Sequence, residues 1–253
     1  MKRFLGLTAY EIRMSLRRVS FWLGFGLLAL PYLLEISAPL TGQTTSMEET
    51  VGTLGFSLFQ LNLLLPVVAG ILIADRLVRD QRLNMTELQN STPLGIISYL
   101  LAKYFGSLIS VLTPVFSLWV ILVIALLANG LPFNEVPRFF LGFLAINVPA
   151  YAFLTAFSLV CPLIMPVRVY QVLFTGYWFW GNFLNPAVLP TLNGTLLTPS
   201  GEFMMGAFFS PNLPFTASYP PIMAFLNLLV LGLCITAALS FGAAVLGRKQ
   251  RLA

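Results

Sequence analysis

Apolar residues fall along this chain in long unbroken runs, separated by short polar connections. Six runs stand out: 19–36, 54–74, 104–127, 139–164, 171–189 and 221–246. At about 1.5 Å per residue, each is long enough as a helix to cross a hydrocarbon core of about 30 Å. Helix is the expected state, because lipid offers no partner to an open backbone N–H or C=O. The two-residue alternation of a membrane β-barrel is missing. The pattern therefore predicts an all-α integral membrane protein with six transmembrane helices, forming a single domain over residues 1–253.

The connections add two features. The opening stretch, residues 1–18, places Leu5, Ala9, Ile12 and Leu16 on one helical face and Arg3, Arg13 and Arg17 elsewhere. This is the pattern of an amphipathic helix lying on a membrane surface. It lacks a short basic head and a small-residue cleavage site, so it does not read as a secretion signal. The connection 190–220 is rich in Pro and Gly yet contains the apolar patch FMMGAFF, too short to span. That patch either dips back into the bilayer under a cover of protein or lies as an interfacial loop.

Composition sharpens the class. Hydrophobic residues make up 58% of the chain and charged residues only 9%, against roughly 25% charged in soluble domains. All but Arg138 of the 14 lysines and arginines fall on one side, if the N-terminus is cytoplasmic and the six runs cross in turn. The positive-inside rule then places both termini in the cytoplasm. A multi-pass protein of a prokaryotic plasma (inner) membrane is expected, and the net charge of +5 belongs to that topology rather than to nucleic-acid binding. Cys161 and Cys234 both lie inside apolar runs, which gives no support to an extracellular disulfide framework.

Enzyme chemistry finds little footing. Without histidine there is no Ser-His-Asp triad, zinc-protease motif or imidazole ligand. None of Lys2, Lys103 and Lys249 follows a glycine, so no phosphate loop of the G-x-x-x-x-G-K type is present. An ion-coupled carrier usually buries an ionisable group near mid-membrane, and the runs hold almost none. Their polar residues are neutral: Gln60, Asn62, Asn147, Gln171, Asn182, Asn185 and Asn227. Such side chains either hydrogen-bond between helices or line a path. In the fifth run, Tyr177, Trp178, Phe179 and Trp180 stand near the middle rather than at headgroup depth. They either pack against another helix or contact an amphipathic substrate.

Charge gathers after the second run, where Asp75, Arg76, Arg79, Asp80, Arg82 and Glu87 stand close together. The i,i+4 spacing of Asp75 with Arg79 and of Arg76 with Asp80 supports a helix continuing beyond the bilayer. A short helical piece over 86–90 follows, with Thr92 suited to an N-cap and Pro93 to the first position of the next helix. Residues 75–93 thus read as a helix extension, a small knob and a restart, suited to docking a soluble partner.

This segment resembles the one that follows the second membrane helix in permeases of the ABC transporter type-2 exporter family. That family's pattern is close to D-R-x-x-x-[ED]-x-R-x-G-T-L-E-L-L-L-S-T-P-L, with a lysine some ten residues on. The matching positions are Asp75, Arg76, Asp80, Arg82, Glu87, Leu88, Ser91, Thr92, Pro93, Leu94 and Lys103. The stretch from Tyr10 to Trp22 is similar to the family's opening helix. Asn84-Met85 replace a common Gly-Thr and Gln89-Asn90 replace two leucines, a more polar knob than the family's.

The resemblance implies a permease dimer, with an identical or paralogous second copy. Each half would dock a separate ATPase subunit that binds ATP and Mg, leaving no cofactor and no catalytic residue in this chain. Coupling to the ATPase would fall to Asp75, Arg76, Arg79, Asp80, Arg82, Glu87, Leu88, Thr92 and Pro93. A translocation path is sought first at Asn62, Tyr177, Trp178, Trp180 and Asn182. The rival readings are a non-transporting membrane anchor or assembly subunit that recruits a soluble partner, and an ion-coupled secondary carrier.

Overall fold

The computed structural model describes residues 2–37, 47–83, 95–128, 130–209 and 218–252. Among them all regular structure is helical. Four helical segments are long and apolar enough to cross a membrane: Leu54–Arg82, Ile96–Ala128, Phe133–Leu163 and Pro221–Lys249. The chain is thus a multi-pass helical membrane protein. Two further predicted spans are shorter as helices. The first has an apolar stretch over Val19–Tyr32, and the fifth is a helix of 16 residues, Val167–Asn182.

In chain order the helices are α1 (Lys2–Leu16), α2 (Val19–Ser37), α3 (Met47–Gln60), α4 (Leu65–Ile73) and α5 (Arg76–Arg82). Then come α6 (Ile96–Ala128), α7 (Val136–Gly142), α8 (Val148–Val160), α9 (Val167–Asn182), α10 (Glu202–Phe208) and α11 (Pro221–Leu252). A π-helical turn, Phe143–Asn147, joins α7 to α8.

The predicted second span is one apolar run but two helices. Pro66 sits in the first turn of α4 and has no N–H to offer the carbonyl of Asn62, so the helical ladder cannot pass through. The fourth span stays helical but is irregular: Pro149 lies in the first turn of α8, directly after the π turn, where the Val148 N–H bonds to the Phe143 carbonyl. The fifth helix ends at Asn182, short of the predicted 189. Asn185 Oδ1 accepts a bond from the N–H of Ala187 at 2.9 Å, a local turn that competes with helix just before and after Pro186.

Helix α1 carries three faces. Thr8, Glu11 and Ser15 are buried against α6, while Leu5 and Ala9 of the predicted apolar stripe are exposed and Arg3, Arg13 and Arg17 point away from the bundle. Gly106 on α6 permits this close seat, because a Cβ there would lie 2.6 Å from the Cβ of Glu11 and 3.2 Å from the Thr8 carbonyl.

The FMMGAFF patch forms most of α10, which packs on α3, the π turn and α11. Phe203, Met204, Met205 and Phe209 are buried there. Before α10, the non-helical residues Thr198–Gly201 are buried as well, their backbone covered by protein as an apolar setting demands. Gly201 has φ +89° and lies against Ile146, a left-handed position that favours glycine.

Candidate functional site

Two buried polar clusters stand apart from the apolar core. The first lies where α1, α5 and the start of α6 meet. Glu11 is fully buried, with one carboxylate oxygen accepting from Lys103 and the other from Arg76 at 3.5 Å. Lys103 also reaches Asp80 at 2.6 Å, and the Tyr99 hydroxyl donates to the same Asp80 oxygen at 2.6 Å. Two acids thus balance two bases, and each ion has a partner on another helix. Charges this deep persist only when so paired. Arg79 adds a donor contact to the Met14 sulfur of α1.

Nearby, Lys249 from the end of α11 donates to Gln81 of α5 and to the Leu163 carbonyl after α8. The basic ends of the first and last helices therefore gather at one end of the bundle. Arg138 stands against the other, donating to the Phe208 carbonyl and facing the Phe209 ring. On the connection before α11, Tyr219 donates to the half-buried carboxylate of Glu202. Burial raises the Glu202 pKa, and the hydrogen bond partly offsets that shift.

The sequence reading places i,i+4 ion pairs within the extended second span. The helix does extend, as α5, but its described ion pairs run to other helices: Arg76 to Glu11, and Asp80 to Lys103. The reason is burial. A pair between helices is shielded from water on all sides, whereas a pair along one exposed face gains only a few tenths of a kcal/mol. Arg82 is exposed. The short helix expected over 86–90, with Glu87, Leu88, Thr92 and Pro93, lies outside the described residues.

The second cluster surrounds the break at 61–64, where helical pairing fails and side chains take it over. The Asn62 N–H turns back to Phe59 O, and Asn147 Nδ2 fills its place on the Leu58 carbonyl at 2.9 Å. The Tyr151 hydroxyl donates to the Leu61 carbonyl at 2.9 Å. Trp178 Nε1 reaches the carbonyls of Asn62 and Leu63, both at 3.2 Å. The N–H of Leu64 donates to the Tyr32 hydroxyl at 3.3 Å. The Asn62 carbonyl that Pro66 frees is thereby matched, as are the carbonyls of Leu58, Leu61 and Leu63, in keeping with an apolar interior.

The two irregular spans also grip each other. Asn62 Nδ2 donates to the Ile146 carbonyl in the π turn at 3.1 Å and to the Ser200 carbonyl at 2.8 Å. Asn147 Nδ2 returns a bond to Asn62 Oδ1 at 2.9 Å. This crossed pair of asparagines joins the second span, the fourth span and the buried stretch before α10.

The five residues first sought as a path divide in two. Asn62, Trp178 and Asn182 are buried within the single chain and bond to backbone; Asn182 Nδ2 reaches the Trp178 carbonyl at 2.8 Å. Tyr177 is half-buried, and Trp180 is 41% exposed with its indole N–H on the Pro190 carbonyl. Consecutive residues on a helix point about 100° apart, so the aromatic run cannot act as one surface. Glu11, Tyr99, Asn147 and Tyr151 were not singled out as site residues. An acid on the inward face of a basic helix marks Glu11, and an asparagine two residues before Pro149 marks Asn147; Tyr99 and Tyr151 carry no such signal. No family model matches this chain, and no curated protein matches it at a meaningful level.

Proposed function

We propose that this chain is the membrane-spanning permease subunit of an ATP-driven exporter of the ABC type-2 kind. In this reading six helices cross the bilayer with both termini in the cytoplasm, and α1 rests on the inner surface with Leu5 and Ala9 toward lipid. The chain pairs with a second copy or a paralogue and docks a separate ATPase, which holds ATP and Mg. The observation that carries the proposal is the Glu11–Arg76–Lys103–Asp80 cluster. It binds α1, α5 and α6 together around the two ends of the 84–94 connection, where the resemblance puts the docking knob. A knob that transmits force needs a stiff mount, and a buried, charge-balanced ion cluster supplies one. Movement of the ATPase would then pass to the second and third spans together.

Transport would run between two copies rather than through one, since Asn62, Trp178 and Asn182 are spent on internal hydrogen bonds. Trp180 and Tyr177 remain the candidates for facing a neighbour or cargo. Substitution of the knob tests the proposal. Glu87→Ala and Pro93→Gly should leave the protein folded and bound to its ATPase while cutting ATP-dependent transport at least several-fold. Normal transport by both variants would remove the coupling role.

A further inference from the structure

The irregularities of the second and fourth spans share features that neither needs alone. Each lies at a proline, Pro66 or Pro149, and each meets the other through Asn62 and Asn147. Packing differs on either side of them, while α11 runs along both, against α10 and against α8. On one side α3 packs with α7, α10 and the π turn; on the other α4 and α5 pack with α8. The second group carries Arg76 and Asp80, and through them α1 and the start of α6.

Across the break the covalent chain continues, but the helical ladder does not. Besides the tight backbone turns of Asn62 to Phe59 and Leu63 to Gln60, what holds 61–64 is a set of side-chain partners from other helices. Such bonds can open one at a time, unlike a continuous helix, whose bonds along one element resist bending together. The Trp178 indole is fully buried against the break. Its single N–H is shared between two carbonyls, of Asn62 and Leu63, at equal and rather long distances of 3.2 Å. Trp178 stands on α9, which also seats Phe174 against Gly70 of α4, where a Cβ would lie 2.1 Å from the ring. Helix α9 thus touches the break and the segment beyond it.

We infer that residues 61–64 form a joint between two packed bodies, and that Trp178 is the positioning residue that latches it. The α4–α5 segment, with the ion cluster, swings about this joint relative to α3. The Asn62–Asn147 pair keeps the two spans in register during the movement, and Trp178 sets how much of the time the joint is closed. This inference does not rest on the exporter assignment, since it concerns only the motion of the chain itself.

Hydrogen exchange and spin-label distances on the purified protein in lipid nanodiscs test it. Trp178→Phe keeps an aromatic ring at the site and removes the donor together with the pyrrole part of the indole. It should raise amide exchange at 61–65 by about tenfold, leaving exchange in α6 and α11 unchanged. Labels at Leu83→Cys and Phe133→Cys, both exposed sites, in a Cys161→Ser, Cys234→Ser background, should show a broader distance distribution with Trp178→Phe. Pro66→Ala returns the missing N–H and should narrow that distribution by letting the Asn62 carbonyl pair within the helix. A uniform rise in exchange across the chain would overturn the joint and mark Trp178 as a packing residue. So would unchanged exchange, or distributions that neither variant alters.

Discussion

Glu11→Ala should lower the stability of the folded chain by about 3–5 kcal/mol, the cost of removing one partner from a buried ion pair. The substitution leaves Arg76 without the one carboxylate it contacts and leaves Lys103 with Asp80 alone. The gain from the pair itself is not what is lost; the penalty comes from a guanidinium held away from water with no anion beside it. Glu11→Gln should cost less, since the amide keeps an oxygen to accept from one base. Adding Arg76→Met to Glu11→Ala should recover part of the loss, because the orphaned charge is then gone. Thermal unfolding in detergent reads all three, and proteolysis within α1 should become faster in Glu11→Ala before global unfolding. Additive losses in the double variant would mean that Glu11 and Arg76 do not interact.

Asn62→Leu should cost about 3 kcal/mol, from two backbone carbonyls left without a donor. The leucine fills nearly the same space, so cavity formation is not the cause. It strands the carbonyls of Ile146 and Ser200 and takes the acceptor from Asn147, which keeps its bond to Leu58 O. Asn182→Leu is the control. Its bond is to the Trp178 carbonyl on its own helix, so the loss should stay near 1 kcal/mol. The difference between the two thermal midpoints, measured in the same detergent, separates a network that joins three segments from a single local bond.

Long apolar runs made the helical class legible, because lipid leaves a backbone few alternatives. The break at 61–64 was hidden by the same property. Residues 54–74 read as one span since Leu61, Leu63 and Leu64 are as apolar inside a break as inside a helix. Only Pro66, with Asn62 four residues before it, marked the place. From Arg76 to Arg82 the charged stretch was rightly read as helix, but its pairing depended on Glu11, Tyr99 and Lys103, which lie far away in sequence. Spacing along one helix cannot rank such partners; burial decides among them. The amphipathic reading of α1 found the apolar stripe of Leu5 and Ala9. It did not find the polar face of Thr8, Glu11 and Ser15, which is turned inward by the room that Gly106 leaves. In the fifth helix the aromatic run was plain, yet its division between buried Trp178 and exposed Trp180 follows from helical geometry and from the carbonyls that Pro66 frees.

The proposed role depends most on a partner that supplies ATP hydrolysis. Tagged protein isolated gently from native membranes, with its companions identified by mass spectrometry, tests this directly. The expected result is an ATPase with a phosphate loop in near-equal amount to this chain, weakened by Glu11→Ala in proportion to the loosening of α1. An intact, stable chain that brings down no nucleotide-binding subunit would contradict it.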